Sequence, residues 1–126
     1  MLTPKTASNS HLLKIASMDE STFLQEVQTI IFANYNDPQF GVEDLAQAVF
    51  LSVSQLNRRL NQIAQTSAGK LIRTARLRAA ASLLKTNYLQ PVADIAYHVG
   101  YPNVTSFCRS FKREFGCSPR AYEKPK

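Results

Sequence analysis

Two arginines stand at matching places in this sequence, and their surroundings define the chemistry available. Arg58 lies in Leu56-x-Arg58-x-Leu60, and Arg109 lies in Phe107-x-Arg109-x-Phe111. On a helix such spacing buries the apolar pair and turns the arginine outward. Ser54, Gln55, Asn57 and Arg58 gather on the first face, and Thr105, Ser106 and Arg109 on the second. Arginine pairs with guanine O6 and N7 through two bonds, asparagine or glutamine pairs likewise with adenine, and short hydroxyl side chains allow close approach. These seven residues are the candidate base contacts. Arg59, Lys112 and Arg113 are the candidate phosphate contacts, which hold position without reading sequence. Gln55 has a competing use, because with Ser52 it is spaced as a capping box. Taken singly, either arginine could equally be solvated or salt-bridged, but their repetition favours a shared outward role.

The elements that must position these side chains occur twice. Asp44-Leu45-Ala46 matches Asp94-Ile95-Ala96 at an offset of 50, and Val49 matches Val99. The arginine motifs match at an offset of 51, so the second turn carries one extra residue. Each unit reads as helix, turn, helix, with Ala46 or Ala96 as the small residue where two helices cross and Gly100 in the second turn.

Apolar periodicity predicts about seven helices and an all-α fold: two helix-turn-helix subdomains joined by a long linker helix. Residues 1–20 read as a linker or flexible arm, 21–67 as the first subdomain, 68–87 as the linker helix and 88–126 as the second subdomain. Helix 1 is expected from Ser21 to Asn36 with Phe23, Val27, Ile30 and Ile31 inward, ended by Asp37-Pro38. The linker helix is expected to begin after a Ser67 cap, with Leu71, Ala75, Ala79 and Leu83 as its inner stripe. Asn103 and Ser118 are expected caps further on, the latter followed by Pro119 at the first helical position. Phe107, Phe111 and Phe115 read as core.

The chain has 126 residues, 44% hydrophobic and 19% charged, with a net charge of +6. Residues 1–50 hold two basic and six acidic side chains, a net of −4, whereas residues 51–126 hold thirteen basic and three acidic, a net of +10. Such a basic body suits a polyanion. No run of about 18 apolar residues suggests a membrane span, and the start lacks a signal peptide's apolar core. A cytoplasmic protein with Cys108 and Cys117 as reduced thiols is the expectation. His11 and His98 are isolated, and no triad, carboxylate pair or phosphate-cradling loop is evident, so neither an enzyme, a metal site nor a cofactor is expected. A DNA-repair methyl acceptor would need a zinc-held cysteine cluster, which two cysteines do not supply. A protein-interaction module would leave the paired arginine faces unexplained.

The segments PVADIAYHVGY (91–101) and SFCRSFKREFGCSPRAY (106–122) closely resemble the signature of AraC/XylS-type transcription regulators. LIRTARLRAAASLL (71–84) resembles that family's linker helix. The resemblance runs from about Phe23 to Tyr122. It implies two adjacent major-groove contacts on one face of double-stranded promoter or operator DNA, usually by a bacterial activator, with RNA polymerase as a further partner. It also implies base reading by Ser54, Asn57 and Arg58, then by Thr105, Ser106 and Arg109. Phe50 stands where the family's first turn often has Gly, Gln65 where helix 3 often ends in Gly, and Cys108 is an unusual neighbour for Arg109. The stretch DESTFLQEVQTIIFANYNDPQF (19–40) resembles the lead-in found when this domain ends a longer two-component or hybrid-sensor regulator, which implies sensor or receiver domains in a longer parent chain.

Overall fold

The computed structural model describes residues 19–86 and 90–123. Seven helices and no strand occur among the described residues: α1 (Glu20–Asn34), α2 (Val42–Ala48), α3 (Val53–Ala64), α4 (Ala68–Thr86), α5 (Val92–His98), α6 (Val104–Phe115) and α7 (Pro119–Glu123). Nearly all of the arm expected over residues 1–20, and His11 with it, lies outside the described residues. The chain divides into two compact units, one containing residues 19–34 and 40–72, the other residues 35–39 and 73–123. The long helix α4 therefore contributes its first residues to one unit and the remainder to the other.

In the first unit α1 starts at an Asp19 cap, whose carboxylate accepts the Thr22 N–H at 2.8 Å. That hydrogen bond holds the Asp19 pKa below its ordinary value. Phe23, Val27, Ile30 and Ile31 are buried along one stripe, as their spacing predicts. They share the unit's interior with Phe40, Leu45, Ala46, Val49, Leu56 and Leu60. The Ser52–Gln55 capping box forms in full: Ser52 Oγ accepts from the Gln55 amide at 3.1 Å, and Gln55 Oε1 accepts from the Ser52 amide at 2.9 Å.

The second unit is built on Leu77, Ala80, Ala81 and Leu84 of α4, Ile95 and Ala96 of α5 with Val99 directly after it, and Phe107 and Phe111 of α6. Aromatic rings line its length. Phe107 meets Tyr101 edge-on at 5.3 Å between centroids, and Phe111 meets Phe115 at 4.5 Å and Tyr122 at 5.3 Å. Asn103 caps α6 by accepting the Ser106 amide at 2.8 Å, and Ser118 caps α7 through the Ala121 amide at 3.2 Å.

The expected inner stripe of α4 is corrected. Leu71, Ala75, Ala79 and Leu83 are only half-buried. The buried residues are Ala68 and Ile72 in the first unit, then Leu77, Ala80, Ala81 and Leu84 in the second. At 3.6 residues per turn these two groups do not fall on one stripe. A helix that serves two cores has no single apolar face, so a search for one period along its whole length picks out the wrong set.

Both turns between paired helices share one hydrogen-bond pattern. Leu51 N–H donates to Ala46 O at 3.0 Å and Phe50 N–H to Gln47 O at 3.1 Å. Tyr101 N–H donates to Ala96 O at 2.9 Å and Gly100 N–H to Tyr97 O at 3.1 Å. This pair of bonds is a Schellman closure, which needs one residue in the left-handed region. Gly100 fills it at φ 97°, but in the first unit Phe50 does so at φ 61°. The second helix of each pair also ends on a left-handed residue, Gln65 (φ 49°) and Gly116 (φ 79°). The first unit thus places non-glycine residues at both left-handed positions, at a cost in backbone strain.

Gly100 is required for a second reason. A Cβ there would lie 2.3 Å from the Tyr35 carbonyl oxygen and 2.9 Å from Arg76 Nε. Arg76 fastens the chain segment that follows α1 into the second unit: its Nε donates to Tyr35 O at 2.8 Å and its Nη2 to Asp37 O at 3.1 Å. Burial of this guanidinium lowers its pKa, opposed by Tyr101 and Asp37. We expect Gly100→Ala to cost about 2–4 kcal/mol, the sum of left-handed strain and overpacking. Gln65→Gly should instead add about 0.5–1 kcal/mol by relieving strain at an exposed site. Thermal or denaturant unfolding of the two variants checks both signs.

Candidate nucleic-acid interface

The second helix of each unit is sharply two-faced. Leu56 and Leu60 of α3, and Phe107 and Phe111 of α6, are fully buried. Arg58 and Arg109 follow the first of each pair by two residues, about 200° round the helix. Both are exposed, as are Ser54 and Thr105 four residues before them. Each helix therefore presents a hydroxyl and a guanidinium one turn apart on its outer face. Lys112 and Arg113, near the end of α6, are also exposed. Ser106 is half-buried, and its backbone amide is held by the Asn103 cap.

The remaining expected contacts are engaged inside the first unit. The Gln55 carboxamide oxygen closes the capping box. Asn57 is half-buried rather than outward, and its Oδ1 accepts the backbone N–H of Ala68 at 2.9 Å, the first residue of α4. The guanidinium of Arg59 sits 3.8 Å from the centroid of the Phe23 ring, a cation–π contact between α3 and α1. Gln55 announced its use through its spacing from Ser52. The other two contacts join residues far apart in sequence, where no local period reveals them. The same holds for Arg76, one of the basic residues of α4 by sequence and by geometry the fastening of Tyr35 and Asp37.

A helix fits the major groove, and an outward guanidinium flanked by a short hydroxyl is equipped to meet base edges there. Among the described residues no group of His, Cys, Asp or Glu could hold a metal ion, and no described helix is long and apolar enough to cross a membrane. Two such helix-turn-helix units define a DNA-binding module.

Comparison with known proteins agrees. A family described as a helix-turn-helix domain matches residues 45–125. The transcriptional activator NphR of Rhodococcus sp is 33% identical over 121 residues, covering 94% of this chain and 36% of that protein. The chain thus spans about a third of the length of such curated relatives. Among solved structures, the C-terminal domain of AraT, a response regulator from Geobacillus stearothermophilus, is 27% identical with a TM-score of 0.73, covering 79% of this chain and 81% of that one. The DNA-binding domain of AdpA, a global transcriptional factor solved in complex with a target DNA, is 28% identical with a TM-score of 0.72, covering 79% and 88%. The chain belongs to the AraC/XylS family of transcription regulators. The part it shares with AdpA is that protein's DNA-binding domain.

The different engagements of two adjacent arginines can be separated by experiment. Arg59→Ala should lower stability by about 0.5–1 kcal/mol through loss of the ring contact, whereas Arg58→Ala should change it by less than about 0.5 kcal/mol. Paired urea-unfolding curves give the comparison.

Proposed function

We propose that α3 and α6 enter successive major-groove segments of one promoter or operator site, about 34 Å apart along the duplex. Base reading falls to Ser54 and Arg58 in the first box and to Thr105, Ser106 and Arg109 in the second. Lys112 and Arg113 meet phosphates. Gln55, Asn57 and Arg59 hold the first unit together in this reading. The observation that carries it is the repeated outward pair, Ser54 with Arg58 and Thr105 with Arg109, each one turn apart on the outer face of a helix whose inner face is buried.

The wider role follows the relatives. NphR is named a transcriptional activator and AraT a response regulator. These names support a bacterial activator; sensor or receiver domains in a longer parent chain, RNA polymerase as a target and a cytoplasmic location belong to the same proposal through the family resemblance.

Selection of binding sites from random duplex DNA tests the proposal. A motif of two boxes one helical turn apart is the expected result, and recovery of unrelated sequences would remove it. On the selected site, Arg109→Ala should cost about 1–3 kcal/mol and relax one base position. Lys112→Ala should weaken all sequences alike and reduce the salt slope by about one unit. Titrations at increasing salt separate the two behaviours.

A further inference from the structure

The joint that follows each recognition helix is built twice, with one difference in its hydrogen bonding. An offset of 51 lays Gln65-Thr66-Ser67-Ala68 over Gly116-Cys117-Ser118-Pro119, and Asn57 over Cys108. In both copies the recognition helix ends on a left-handed residue, Gln65 or Gly116. In both, a serine hydroxyl caps the next helix: Ser67 Oγ accepts from the Lys70 amide at 3.3 Å, and Ser118 Oγ from the Ala121 amide at 3.2 Å. In both, the first residue of that helix is buried, Ala68 in one and Pro119 in the other.

The difference is a single N–H. The first backbone amides of a helix have no partner within it, and a buried one left unpaired is costly. Ala68 has such an amide and is fully buried, and the Asn57 side-chain oxygen accepts it across eleven residues. Pro119 has no amide hydrogen, so its joint needs no acceptor. There the place of Asn57 is taken by Cys108, which packs against the apolar core of the second unit.

We propose that Asn57 is a positioning residue: its carboxamide fixes α3 against the start of α4 because Ala68 must be paired, and it does not read a base. The joint stands on geometry within the first unit, and its consequence for recognition rests on the proposed function above. Asparagine at this position belongs with alanine at 68, as cysteine belongs with proline in the second copy.

The two joints can be exchanged. Asn57→Cys strands the Ala68 amide, and Asn57→Cys with Ala68→Pro recreates the second joint inside the first. We expect the single variant to lower Tm and, at a temperature where it is folded, to lose about tenfold in affinity for the selected two-box duplex. Its base preference should be unchanged, and so should its binding to a duplex that carries only the second box. The double variant should regain both Tm and affinity. An unchanged Tm in Asn57→Cys would overturn the proposal, as would a double variant that fails to recover it. So would a double variant that regains Tm while one base position stays relaxed, since that result makes Asn57 a base reader. If the unaltered protein selects no sequence, the proposed function falls, and the melting comparison still decides the joint.

Discussion

The rotational setting of α3 and α6 about their own axes governs everything else. Full burial of Leu56 and Leu60, and of Phe107 and Phe111, fixes which side of each helix faces inward. A buried Leu or Phe contributes about 1.5–3 kcal/mol relative to its exposed state. Two such residues on one helix make any other rotation unaffordable in a marginally stable domain. The arginines, two residues on, have nowhere to point but out. The preceding small residue, Ala46 or Ala96, lets the supporting helix pack closely, and the left-handed turn after it returns the chain in the required direction.

The two copies reach this common geometry with different residues. The second uses glycine at both left-handed positions and proline at the start of the following helix, so its backbone meets each demand directly. The first places Phe50 and Gln65 in the left-handed region, keeps an amide at Ala68, and meets that amide with a side chain. It also recruits Arg59 to cover Phe23. On the outer face, α3 exposes Ser54 and the single cation Arg58, whereas α6 exposes Thr105 with the three cations Arg109, Lys112 and Arg113. The second unit carries the greater positive charge: residues 73–126 hold ten basic and three acidic side chains.

Much of this was legible in the sequence because it is local. The α1 stripe follows from period alone. The caps at Ser52, Ser67, Asn103 and Ser118 follow from side chains placed three residues before the amides they accept. The duplication, with its matching arginines, follows from comparing the chain with itself. What was not legible depends on contacts across longer separations. The stripe of α4 is misread because its two ends serve different cores. Asn57, expected on an outward face, is half-buried and accepts the Ala68 amide, and nothing local to Arg76 foretells that Tyr35 and Asp37 accept its hydrogen bonds. Polar residues on a helix declare their face, but not whether the neighbour waiting there is solvent, backbone or nucleic acid.

Arg58 and Arg109 are proposed to approach base edges in separate major-groove segments. Dimethyl sulfate methylates guanine N7 in that groove, so protection of a bound duplex reports directly on such contacts. With the unaltered protein, two protected patches about one helical turn apart on the same face are predicted, one lost on removing the Arg58 side chain and the other on removing that of Arg109. Guanines left equally reactive in free and bound duplex, or both patches vanishing together with either arginine, would contradict the account.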